Sequence, residues 1–334
     1  MSSGAGTGFP VPGDRAELED EPDIKSSAMA AVARTRAQGM HFYGQILGIT
    51  PRPTGDGPVG PQLVPDRAVT PGPVPPVALA AVADLAMGSA VRAAVGRGRR
   101  LGTVTMTLHH LAPVVTAPVV PTARVVWLDE AQQNALARVD CIDASGALVA
   151  AGQGWFMALP VPEGVALRLL PWELDGLLPA GRLEPDDLEP HERAAVEATL
   201  RAAERARERG TSVSSELTAL SWDDDAPAGT ARGRLQIGPA LANRVGHVQG
   251  GALYGIGLAA AARAVSSGRH GATTSLTPAE GSWQFLSPGD GDELVAEATV
   301  SRVGRGAAFA SVTLSVDGRA VGAGQFAFRP DDAG

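Results

Sequence analysis

Cysteine is almost absent from this sequence. The lone Cys141 in 334 residues excludes an intrachain disulfide and a cysteine-based metal site. Aromatic residues make up only 4% of the chain, which favours an aliphatic over an aryl ligand. Basic charge is also short: 28 Lys and Arg against 36 Asp and Glu give a net charge of −8. A nucleic-acid-binding role, which needs a basic face, is therefore not expected. No apolar run reaches ~18 residues without Gly, Pro or charge, so no membrane span is expected. The first residues, MSSGAGTGFPVPGDRAELEDEPD, carry no apolar stretch of the signal-peptide kind, and the expectation is a cytoplasmic protein. The six histidines show no His-x3-His or Glu-flanked pairing, and no metal is expected. Gly-x-Ser-x-Gly, phosphate-loop and dinucleotide fingerprints are missing as well.

An internal repeat fills most of the chain. A helical stretch at 76–95 is followed by strand-like segments at 102–113, 122–130, 135–146 and 147–159. A second helix at 250–267 is followed by segments at 280–305, 307–318 and 319–328. Leu111-Ala112-Pro113 matches Leu286-Ser287-Pro288 at an offset of 286 − 111 = 175, and Ala151-Gly152-Gln153 matches Ala323-Gly324-Gln325 at 323 − 151 = 172. Apolar and polar residues alternate along the strand segments, which close on Asp-Gly or Asp-x-x-Gly turns. Helices at 25–47 and 191–210 lead the two copies, and the first strands of the second copy are expected within 214–237. The organisation is a disordered tail (1–24), a first domain (25–160), a Pro-rich linker (161–190) and a second domain (191–330).

The most informative stretch is 243–265, NRVGHVQGGALYGIGLAAAARAV. Paired glycines at a helix start leave backbone N–H groups unscreened at the positive end of the helix dipole, where a developing oxyanion is stabilised. The spacing Asn243-x2-Gly246-x2-Gln249-Gly250-Gly251 resembles the hotdog-fold thioesterases of the PaaI-like acyl-CoA type. The strand pair FLSPGDGDELVAEATVSRVGR (285–305) is similar to theirs as well. The resemblance implies an α+β fold: two tandem hotdog domains, each an antiparallel sheet wrapped round a central helix, forming a pseudo-dimer within one chain.

In that family an acid lies nine residues beyond the position of Gln249. Here 249 + 9 = 258 is Leu258. The first repeat is defective in the opposite way. Its helix carries Asp84, but 84 − 9 = 75 is Pro75, so Pro75, Pro76 and Val77 stand where the glycine motif would be. Because family sites combine a glycine motif and an acid from opposite subunits, the resemblance implies one composite site. Gly250 and Gly251 would polarise a thioester carbonyl, with the Gln249 amide donating to the same oxygen in place of the usual His. Asp84 would activate water as general base or attack as nucleophile. Asn243, Gly246 and His247 would bind substrate or shape the loop. Each also has a structural reading: a satisfied polar group for Asp84, close packing for the glycines, a turn for Asn243, a loop role for His247.

The implied substrate is an acyl-CoA or acyl-carrier-protein thioester, with coenzyme A entering only as part of the substrate and no separate cofactor. Arginines at 96–100, Arg302 and Arg305 are candidates for the phosphates, or else solvated loop charges. A homodimer of double hotdogs is expected from the same resemblance. A non-catalytic acyl-thioester binding or assembly protein is the alternative. A hydratase or dehydratase of the same superfold ranks third, because residues 48–76 contain no His to serve it.

Overall fold

A computed structural model describes residues 23–52, 60–96, 98–129, 131, 133–161, 168–174, 179–268 and 276–330. The expected tail lies almost wholly outside the described residues. In the first repeat, α1 (Ile24–Gln38) and α2 (Phe42–Ile46) precede a short hairpin, β1 (Ile49–Pro51) with β2 (Pro61–Leu63). The long helix α3 (Pro76–Val95) and the strands β3 (Arg99–His110), β4 (Val120–Leu128), β5 (Asn134–Ile142) and β6 (Leu148–Pro160) complete it. The second repeat runs α4 (Pro190–Arg209), α5 (Val213–Leu217), β7 (Ser221–Trp222), β8 (Thr230–Gln236), α6 (Gly250–Gly268), β9 (Leu276–Phe285), β10 (Glu293–Val303), β11 (Ala308–Val316) and β12 (Arg319–Pro330).

The long strands form one antiparallel ten-stranded sheet in the order β4-β5-β6-β3-β9-β12-β11-β10-β8-β7. Strands β5 and β11 alternate buried and exposed residues, so one face of the sheet packs on helix and the other meets solvent. The repeats meet at β3 and β9, where Thr107 pairs with Ser282 and their hydroxyls lie 3.3 Å apart. Since 107 + 175 = 282, equivalent residues face each other, as a two-fold axis through the seam requires.

Helices α3 and α6 cross the same axis antiparallel. Gly251 lies against Ala81, and Gly255 lies against Val77. With an offset of 174, 77 + 174 = 251 and 81 + 174 = 255, so the two contacts are mirror images. Helix α3 is long and apolar enough to cross a membrane, with a mean hydropathy of 1.5, although the sequence reading assigned no span. It is instead a core helix, two-thirds buried between its sheet and α6. A helix covered on two sides is apolar around most of its circumference.

Two expectations are corrected. The 25–47 helix is broken at Gly39, which caps α1 in the left-handed region (φ 72°). A Cβ there would come within 2.6 Å of the Leu169 carbonyl oxygen. The stretch read as strand from 214 begins as helix α5, because the Ser212 hydroxyl caps it by accepting from the Ser215 N–H at 3.2 Å. Its Glu216 is buried and accepts from Arg205, Arg209 and Thr211. The helices leading the two repeats, α1 and α4, are joined by the Arg36–Glu192 ion pair (Nε to Oε1 2.8 Å).

Candidate active site

Asp84 occupies the middle of α3, where its neighbours Ala81, Val82, Ala83, Ala86 and Met87 are all core residues. The side chain is buried, with 8% of the residue exposed. Its Oδ1 accepts a hydrogen bond from the Thr103 hydroxyl on β3 at 2.9 Å. Burial raises the carboxyl to a pKa of about 6, and the Thr103 hydrogen bond partly opposes the rise.

The other carboxylate oxygen faces the second repeat. The point where a Cβ on Gly250 would sit lies 3.1 Å from Asp84 Oδ2 and 3.3 Å from the Phe285 ring at the end of β9. Asp84 and Gly250, 166 residues apart in the sequence (250 − 84), are therefore neighbours across the α3–α6 crossing.

The start of α6 is built for donation. The Gln249 Oε1 accepts from the Ala252 N–H at 3.0 Å and caps the helix. The Gln249 carbonyl accepts from Leu253 at 3.1 Å. That leaves the N–H groups of Gly250 and Gly251 with no acceptor among the described residues, at the end of the helix where the dipole is positive. With its oxygen committed, Gln249 presents its amide NH2 as the remaining side-chain donor. Replacing Gln249 with Ala should remove the cap and lower stability by about 1 kcal/mol, read from the urea midpoint.

Asn243 organises the preceding loop. Its Oδ1 accepts from the Val245 and His247 N–H groups at 2.9 and 3.1 Å, and its own N–H donates to the His247 carbonyl. Gly246 takes a positive φ of 87° in this loop. Asn243 and Gly246 line a neighbouring cavity in which Asp84 has no part. The structure thus gives Asn243 a set of loop-forming bonds, Gly246 a turn, and His247 backbone bonds within the same loop.

Sequence reasoning missed Thr103 and Phe285. Thr103 is one of several threonines in GTVTMT, and only its place opposite α3 distinguishes it. The paired histidines of β3 diverge: His109 is exposed, while His110 is buried with its Nε2 3.2 Å from the Tyr254 hydroxyl at the seam. No group of three or more His, Cys, Asp or Glu side chains that could hold a metal is found among the described residues.

Residues 239–329, which contain the Gln249-Gly250-Gly251 turn and all of α6, match the family described as acyl-CoA thioesterase N-terminal domain. The match covers the second repeat alone, and the chain as a whole has the tandem hotdog fold. Two solved structures share its architecture over nearly their whole length. One is the tesB protein of Mycobacterium avium subsp. paratuberculosis, 13% identical over 86% of this chain and 98% of that one, with a TM-score of 0.50. The other is a Thermobifida fusca YX protein provisionally named thioesterase II, 15% identical over 87% and 98%, also with a TM-score of 0.50. At these identities the likeness is one of fold. No curated protein matches the chain in sequence.

Proposed function

We propose that this tandem hotdog hydrolyses acyl-CoA at a single composite site, in which the first repeat supplies the acid and the second supplies the oxyanion donors. The observation that carries this reading is the approach of Asp84 Oδ2 to Gly250, beside two N–H groups with no acceptor among the described residues. In this mechanism ionised Asp84 takes a proton from water as the water oxygen attacks the thioester carbonyl. The carbonyl oxygen becomes an oxyanion held by the Gly250 and Gly251 N–H groups and the Gln249 amide. Collapse breaks the C–S bond, and the Asp84 proton passes to the leaving thiolate. The products are a carboxylic acid and the free thiol of coenzyme A.

The mirror position is expected to be inert. The counterpart of Asp84 is Leu258 (84 + 174), and the counterpart of Gly250 is Pro76 (250 − 174). Pro75 and Pro76 have no backbone N–H to donate. A chain with one working site should be titrated to zero activity by one equivalent per polypeptide of a tight-binding, non-hydrolysable thioester analogue.

Thiol release from a panel of acyl-CoAs tests the reading. Release dependent on Asp84 supports it; no release at any chain length favours a binding role instead. Thr103 acts through Asp84 as a positioning residue. Its hydrogen bond favours the ionised acid, so Thr103→Val should move the acidic limb of the kcat/KM profile to higher pH, while Thr103→Ser should leave it in place. A purely structural Thr103 would change stability without moving that limb.

A further inference from the structure

A concave feature beside the Asn243–Gly246 loop is separate from the proposed reaction site. A cavity of about 530 Å³, within the ~300–1,000 Å³ typical of small-molecule sites, opens between the α1–α2 corner, the start of α4 and the 237–246 segment. Its walls include Val32, Met40 and Phe42, all core residues, and Pro239. Two arginines complete it, Arg168 and Arg244.

Both arginines are held by backbone carbonyls. Arg244 donates to the Arg168 carbonyl at 2.7 Å, and Arg168 donates to the Arg36 carbonyl at 3.1 Å. Neither makes an ion pair among the described residues. The acid in the wall, Glu192, is already engaged by Arg36. Two exposed arginines therefore stand at the mouth of a mostly apolar cavity, with Glu173 acting on Arg244 only at a distance.

His41 adds a third observation. Its Nδ1 accepts from the Gly44 N–H at 2.9 Å, which places the proton on Nε2. That Nε2–H is buried and has no acceptor. Burial, and then the charge of Arg244, lower its pKa to about 3, so it is a neutral donor at physiological pH. A buried donor left unpaired costs free energy.

We infer that this cavity is a second ligand site, which takes an aliphatic carboxylate: its head lies between Arg168 and Arg244, and its tail lies among Val32, Met40, Phe42 and Pro239, beside the wall that His41 helps to form. A carboxylate matches the fork of two guanidinium groups, and the low-polarity walls match a saturated chain. The wall includes Asn243, Arg244 and Gly246 of the loop that leads into α6. The inference needs no hydrolysis at Asp84 and is tested by direct binding.

Calorimetric titration of the full chain with decanoate, 1-decanol and coenzyme A separates the outcomes. Decanoate should bind saturably to one site per chain. The Arg168→Gln, Arg244→Gln double variant should raise its Kd tenfold or more. Decanol should bind weakly and equally to both proteins. Ala242→Phe, which fills the cavity from a half-buried wall position, should also abolish decanoate binding while the melting transition is retained. Decanoate binding that ignores both variants, or that coenzyme A alone displaces, would overturn the inference. Asp84→Asn should leave decanoate binding unchanged; binding lost in that variant would place the acid at the reaction site and also overturn it.

Discussion

Replacing Asp84 with asparagine is expected to abolish hydrolysis and to make the protein more stable. The variant keeps the shape of the side chain and an acceptor for the Thr103 hydroxyl, but it cannot take a proton from water. A positioned general base contributes about 10²–10⁴ in rate, so kcat should fall by that order with the far-UV spectrum unchanged. Activity that survives the change would remove Asp84 from the mechanism. In the wild type, kcat/KM should fall tenfold per pH unit below about 6, as the buried carboxyl takes up its proton.

The stability effect follows from the same pKa. Burial raises Asp84 from 3.8 to about 6 in the folded chain. Between those values the native state holds the proton more tightly than the unfolded state, so stability falls as pH rises through about 6. Above that, the charged form costs on the order of 3 kcal/mol by the two-unit shift. Asparagine still has to be desolvated, and recovering about 1–2 kcal/mol of this is the expectation. At pH 8 the variant should therefore melt several degrees above the wild type, and at pH 3.5 the difference should vanish. An Asp84→Asn protein that melts lower at pH 8 would show the carboxylate to be a satisfied structural anion, not a strained functional one.

The second large effect is expected at Gly251. A methyl group there would sit 2.8 Å from both the Ala81 Cβ and its backbone nitrogen. Backbone cannot rotate away, so α3 and α6 would have to separate. Each is packed against its own half of the sheet, which leaves little freedom to move. Overpacking typically costs about 1–3 kcal/mol, and a clash with backbone belongs at or beyond the top of that range. The helix propensity gained from Gly to Ala is only about 1 kcal/mol. We expect Gly251→Ala to lose 2 kcal/mol or more by urea denaturation.

The mirror contact sharpens the test. A methyl on Gly255 would meet the Val77 side chain, with its Cβ at 2.6 Å. That clash is with a side chain and can be removed: Gly255→Ala should recover most of its loss when combined with Val77→Gly, which leaves the Val77 Cα, at 3.3 Å, as the nearest atom. Gly251→Ala combined with Ala81→Gly should recover less, because the Ala81 backbone remains in the way. Additive effects in both pairs would contradict the crossing geometry. Gly250→Ala should behave differently again. Its methyl would press on Asp84 Oδ2 and the Phe285 ring, not on backbone, so the fold should survive while turnover falls.

Much of the architecture was legible before any coordinates. The 172–175 residue offset placed one repeat on the other, and the observed pairing of Thr107 with Ser282 uses that offset. The helices at 76–95 and 250–267 and the alternating strands were readable from periodicity, because burial on one face writes a period into the sequence. The break at Gly39 and the helix α5 were not. Both depend on single capping groups, Gly39 in the left-handed region and the Ser212 hydroxyl, which carry little weight against a long periodic pattern.

At the candidate site, the identities of Asp84, Gln249, Gly250 and Gly251 could be named from spacing, since a helix start and an acid on a helix are local features. Their nearness could not. Local sequence does not state that Ala81 and Gly251 are close enough to bring a carboxylate on one helix to the amide end of another; that follows from two glycine notches at the crossing of α3 and α6. Thr103 and Phe285 were invisible for the same reason, being ordinary strand residues until the sheet brings them to Asp84. Composition and periodicity decided which elements exist, because those are set by the local balance of burial and hydrogen bonding. Only the packed core decided what faces the acid, because a proton is shared over about 3 Å and no pattern along the chain measures that distance.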